Sequence, residues 1–201
     1  MENLSKYAAT INKNAKDKGF WETENTGEKL MLVICELAEA VEAIRDDKRI
    51  NPEHLQTFVD KEIKLDDDEA VARYMAMFET FFKDKYEDEL ADAMIRALDI
   101  CEHYGIKITE SFRFSDQLPA IIERNLSEAI LFIGGWLFTA YGNYLTLYHA
   151  QNLPDLIKYY INQFISDMVY FCRVQNIDLE THVMLKMLYN QYRPYKHNKK
   201  Y

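Results

Sequence analysis

Apolar residues recur three and four positions apart along most of this chain, and that spacing predicts amphipathic helices. The pattern runs from about Glu2 to Lys18, Glu28 to Asp46, Asp67 to Lys83, Tyr86 to Tyr104, Leu118 to Tyr148, Asp155 to Gln175 and Leu179 to Tyr192. Punctuation agrees with it. Asn51-Pro52, Leu153-Pro154 and Arg193-Pro194 each mark a helix start or stop, and Gly105 suits the position just past a helix end. The segment Leu118 to Tyr148 is expected to be one helix bent at its glycines, and the acidic run Asp66 to Glu69 to supply a first helical turn or a solvated face. With few β-branched runs, 6 Gly and 4 Pro, the fold class is all-α, a helical bundle.

Composition changes that picture little. A hydrophobic share of 48% over 201 residues supports a real core in one domain or two small ones, and no low-complexity linker divides the chain. Ala129 to Tyr148 has no charged residue and is as long as a membrane span. Its Gly134, Gly135, Gly142, Thr139, Asn143 and Thr146, and the lack of basic flanks, favour a helix buried within the bundle. No membrane association is expected. The formal net charge of −9 argues against general nucleic-acid binding, because affinity for phosphate backbones comes from clustered Lys and Arg. Cys35, Cys101 and Cys172 show no CxxC spacing and read as core residues of a reduced, cytoplasmic protein. The stretch from Met1 to Phe20 mixes charges throughout, so no signal peptide is expected.

Candidate chemistry begins with two similar stretches, CELAEA from Cys35 and DELADA from Asp88. In the first, Leu30, Val33, Leu37, Ala40 and Ile44 form the apolar stripe and Glu36 and Glu39 lie together on its flank. In the second, Leu90, Met94, Ala97, Cys101 and Tyr104 form the stripe and leave Glu89 and Asp92 beside it. Small Ala38 and Ala91 would let the two helices approach, bringing four carboxylates towards one another. Such a set needs a cation, because repulsion and desolvation otherwise raise its pKa values or part the helices. No His follows a Glu by three residues, which removes the di-iron bundle pattern. All-oxygen ligation suits Mg²⁺, with Mn²⁺ as a substitute. The competing reading makes these acids solvated, with Asp92 paired to Arg96 four residues on.

At the other end, Lys186, Asn190 and Arg193 share one helical face, Pro194 stops the helix, and Lys196, His197, Lys199 and Lys200 follow. In an acidic chain this is a local anion site or a basic, frayed tail.

Together these residues resemble the MazG-like all-α nucleoside triphosphate pyrophosphohydrolases. The pattern of that family is a KGFW-like entry, an ExxE helix, an ExxD helix running into a Gly-Ile turn, and a K-x3-N-x2-RPYKHGKK-type tail. The chain offers KGFWE from Lys18, ELAE from Glu36, ELADAMIRALD from Glu89, Gly105-Ile106, and KMLYNQYRPYKHNKK from Lys186, with Asn198 where the family has Gly. The resemblance implies that Glu36, Glu39, Glu89 and Asp92 bind Mg²⁺. It also implies that Lys186, Asn190, Arg193, Lys196, His197 and Lys199, with Arg96, meet a nucleoside triphosphate, and that Phe20 or Trp21 stacks on the base. The expected reaction is NTP plus water to NMP plus pyrophosphate, a nucleotide-pool house-cleaning activity. A catalytically inactive interaction protein of the same fold is the alternative.

The middle of the chain echoes its beginning. IERNLSEAILFI resembles LVICELAEAVEAI, placing Asn125 and Glu128 at Glu36 and Glu39, and the helix from Asp155 resembles the ExxD helix, with Tyr160 and Gln163, or Phe164 and Asp167, at the acid positions. The expectation is a tandem of two MazG-like repeats, residues 1–112 with the carboxylates and 113–201 with a degenerate copy and the tail. They would pack as a monomeric pseudo-dimer, or the chain would form a homodimer; an unrelated helical insertion is the other reading.

Overall fold

Every regular element among the residues described by the computed structural model is a helix. It describes the backbone except at residues 1, 24, 61–64, 110–112, 147–152 and 196–201, and the side chains except also those of residues 2, 3, 57, 60 and 153–156. Among the described residues the order is α1 (Glu2–Asp17), α2 (Thr26–Arg45), α3 (Pro52–Asp60), α4 (Asp68–Phe81), α5 (Tyr86–His103), α6 (Leu118–Arg124), α7 (Leu126–Thr146), α8 (Leu153–Val174) and α9 (Leu179–Tyr192).

Local chemistry sets the boundaries. Asn25, Asp67 and Asp178 each accept a hydrogen bond from a backbone N–H three residues on, which satisfies a donor left over at a helix start. The short α3, which the apolar pattern does not announce, opens on Pro52, whose missing N–H costs nothing in a first turn. The expected single helix from Leu118 is two. Asn125 has extended dihedrals, ends α6 and caps α7 by accepting from Glu128 N–H at 3.0 Å. The interruption falls at Asn125 and not at the glycines, since α7 runs helical through Gly134, Gly135 and Gly142. Gly134 instead lets α2 approach: a Cβ there would lie 3.3 Å from both Ile34 and Leu37. No helix among the described residues is long and apolar enough to cross a membrane.

A main core joins α1, α2, α5, α7, α8 and part of α9 around Val33, Leu37, Leu90, Met94, Ile133, Ile165 and Phe171. Burial of this kind contributes roughly 1.5–3 kcal/mol per large side chain. A second, aromatic core joins α3 and α4 to α9. Phe58 packs on Tyr74 and Phe82 at centroid distances of 5.4 and 4.8 Å, and Phe78 stacks on Tyr189 at 4.4 Å. Tyr74 Oη donates to Leu185 O at 2.6 Å, so α4 braces α9 where α9 meets α5. Cys101 and Cys172 are buried and Cys35 is half-buried, all with free thiols.

Candidate functional site

The α2 and α5 helices run antiparallel, and their facing sides bring one carboxylate oxygen each of Glu36, Glu89 and Asp92 within 4.8 Å of one another. Glu36 and Glu89 are buried and Asp92 half-buried. Glu39, one turn beyond Glu36, is exposed and lies outside this trio. Helix geometry explains the difference: residues three apart share a flank but not a depth, and here Glu36 points into the α2–α5 seam.

Cations hold part of this charge. Arg96 sits across the seam with Nε and Nη2 both 2.6 Å from Glu36 Oε1. Lys186 of α9 is buried, and its Nζ lies 2.6 Å from Asp88 and 2.8 Å from Asp92. Lys186, read in the sequence as a phosphate contact, therefore turns inward and clamps α9 to α5. Asp88 is the partner that the spacing argument left out, although it stands next to Glu89 in DELADA.

Protonation follows from these neighbours. Burial, then the charges of Asp88 and Asp92, push Glu89 up to about 9, and no ion pair reaches it among the described residues. Burial, then Asp92, also raises Glu36 against the pull of Arg96. Of the two acids that share Lys186, burial raises Asp88, whereas Asp92 is held below the usual range because Lys186 and Arg96 outweigh its burial. Lys186 itself keeps its proton more firmly than a free lysine, Asp92 and Asp88 overcoming the cost of its burial.

A cleft opens beside the trio, lined by Phe20, Lys29, Asp92, Arg96, Asn190 and Arg193, among others. It collects residues from α1, the following loop, α2, α5 and α9. Asn190 Oδ1 accepts from Arg193 Nη1 at 3.5 Å. Phe20 lines the cleft, but Trp21 does not: its ring stacks on His103 at 3.6 Å and its Nε1 donates to both Asp99 oxygens at 3.0 Å. Asn12 Nδ2 donates to Asp99 Oδ1 at 2.7 Å as well, and Lys29 Nζ to Phe20 O at 2.5 Å. Trp21 is thus a wall support; Asp99, the last residue of ELADAMIRALD, and Lys29, which no motif flagged, are polar lining residues. Lys196, His197 and Lys199 lie outside the described residues.

The entry loop and the start of the tail hold each other. Lys18 Nζ donates to Arg193 O, and Tyr195 Oη to Glu22. Gly19 has φ +80°, and a Cβ on it would run into the Tyr195 ring. Gly19→Ala is expected to destabilise the fold by about 1–3 kcal/mol through the left-handed backbone alone. Urea unfolding checks this, and Tyr195→Ala in the same chain should restore only the steric part; a Gly19→Ala protein as stable as the parent refutes it.

Comparison with protein-family models, with curated proteins and with solved structures finds no match to this chain.

Proposed function

We propose that the chain is a Mg²⁺-dependent nucleoside triphosphate pyrophosphohydrolase of MazG-like type, a tandem pseudo-dimer in which the first half carries the metal carboxylates. The supporting observation is the juxtaposition on α2 and α5 of Glu36, Glu89 and Asp92 with a cleft lined by Arg96, Asn190 and Arg193. The residues fit a hard divalent cation. Four acids, Glu36, Asp88, Glu89 and Asp92, meet two paired cations, Arg96 and Lys186, and Glu89 is left without one.

Glu36, Glu89 and Asp92 would hold Mg²⁺, or Mn²⁺ in its place. The bound ion would supply charge for phosphate oxygens and acidify a water. Arg193 forks onto phosphate oxygens from the α9 end, and Asn190 steadies that guanidinium. Arg96, shared between Glu36 and the cleft, offers a second guanidinium once a cation relieves Glu36. Lys186 keeps Asp92 ionised and so ready to ligate. Glu39, exposed and outside the trio, is free to accept a proton. Phe20 supplies an apolar wall for a base.

Arg193→Lys keeps the charge but loses the fork, and is expected to raise the KM for triphosphate roughly tenfold; truncation before Pro194 should do more. The assay is Mg²⁺-dependent release of pyrophosphate and NMP from a panel of standard and damaged NTPs and dNTPs. No release from any of them would defeat the proposal. One observation favours the alternative of a helical interaction protein: Glu36 and Asp92 already have internal cations, as purely structural acids do. The same assay decides between them.

A further inference from the structure

Helices α7 and α8 repeat the design of α2 and α5 in a register fixed by their ends. Asn25 and Asn125 both cap the N–H three residues on, and from there α2 and α7 bury the same positions: Lys29 and Ala129, Leu30 and Ile130, Val33 and Ile133, Leu37 and Leu137, Ala40 and Ala140. Asn125 therefore answers to Asn25, not to Glu36. At the other helix pair, α5 and α8 end alike. Ile106 N–H returns to Cys101 O at 2.7 Å around Gly105 with φ 64°, and Ile177 N–H to Cys172 O at 2.9 Å around Asn176 with φ 56°.

Counterparts also touch across the centre. Gly134 approaches Ile34, its own equivalent, while Gly27 meets Tyr141 and their equivalents, Ser127 and Val41, line one groove. That reciprocity is the mark of a two-fold axis. In this register Glu36, Glu89, Asp92, Arg96 and Asp99 correspond to Trp136, Tyr160, Gln163, Asp167 and Tyr170. The match extends to a bond: where Arg96 donates to Glu36 at 2.6 Å, Trp136 Nε1 donates to Asp167 at 2.8 Å, the charge having changed helices.

We infer that α7 and α8 hold a second copy of the site and that residues 113–115 seal it from within the chain. Asp92, Arg96 and Asp99 line the open cleft of the first half. Each of their three counterparts is engaged by this strap instead. Gln163 Nε2 donates to Arg113 O at 2.9 Å, Asp167 accepts from Ser115 N–H and Oγ at 2.7 Å each, and Tyr170 stacks on Phe114 at 3.7 Å. The Glu36 and Glu89 pair is replaced by Trp136 and Tyr160, rings 6.2 Å apart and 26° from parallel. The second site thus keeps one acid, Asp167, and both of its oxygens are already taken by Ser115 and Trp136.

Amide exchange tests the strap without nucleotide or metal. In the parent protein the Ser115 amide should exchange about 100-fold slower than in an unstructured peptide, and Asp167→Ala should speed it at least tenfold by the same measure while leaving α5 amides within about twofold. An unprotected Ser115 amide in the parent overturns the seal whatever the variant does, and so does Asp167→Ala leaving it unchanged. Added Mn²⁺ should slow exchange in α2 and α5 but not at residues 160–167; slowing there overturns the closed second site. An absence of any Mn²⁺ effect counts against the metal reading of the first half, while the parent measurement has already decided the strap.

Discussion

Lys186→Met is expected to destabilise the protein by about 3–5 kcal/mol, because it strands buried carboxylates that shared one cation. Its ammonium lies within 2.8 Å of both Asp88 and Asp92, in the same seam as Glu36 and Glu89. Met fills the same volume, so packing against Phe78 and Tyr189 survives and the loss is electrostatic. Pairing it with Asp88→Asn should recover much of the stability, since one of the stranded charges is then gone. Urea unfolding of the two single variants and the double variant measures this coupling. A loss under about 1 kcal/mol, or additive single effects, would mean that Lys186 is not the clamp described.

Glu89→Gln should act in two opposite directions. Without metal it is expected to stabilise the protein by about 1–3 kcal/mol near pH 8, by removing a buried carboxylate that has no cation. The pH dependence fixes the sign. Burial and the neighbouring acids raise Glu89 to about 9 from an ordinary 4.5, so between those values the folded state binds more protons than the unfolded one. Its contribution is complete below about 4.5 and is lost as the pH climbs towards 9. The stability gap between variant and parent should therefore widen from pH 5 to pH 8; a constant gap refutes the shift. With Mg²⁺ and nucleotide the same change should lower turnover by at least roughly 100-fold, by removing an oxygen from the ligand trio. Full activity in Glu89→Gln would falsify the metal assignment.

How much of this was legible beforehand depends on what carries the signal. Helical class and most helix spans follow from the three-and-four spacing, which is a property of local geometry. Asn125 was harder. Ile121 and Ile122 before it and Leu126, Ala129 and Ile130 after it keep the helical spacing, so periodicity runs through it, and only the spacing from Asn125 to Glu128 betrays a cap. For the site, the paired acid motifs pointed to Glu36, Glu89 and Asp92, whose convergence needs nothing beyond two antiparallel helices. Glu39 shares their spacing but not their depth, which depends on how far α2 is rotated against α5. Lys186 was legible as a cation and illegible as a clamp, because its partner lies on α5, 98 residues away. Between Phe20 and Trp21 the sequence makes no choice, for the same reason: an aromatic residue next to a motif looks available until His103 and Asp99 are seen to hold it.

The strap over Asp167 and Gln163 makes the two helix pairs unequal in what mutation can do to them. Crowded acids on α2 and α5 hold the folded state in tension. On α7 and α8 that crowding is absent among the residues described, where the Trp136 and Tyr160 rings lie 6.2 Å apart and the Gln163 amide donates to Arg113 O. Random substitution should therefore find stabilising changes readily at Glu89 and scarcely at Trp136 and Tyr160, and a saturation library scored for stability alone would tell the two helix pairs apart.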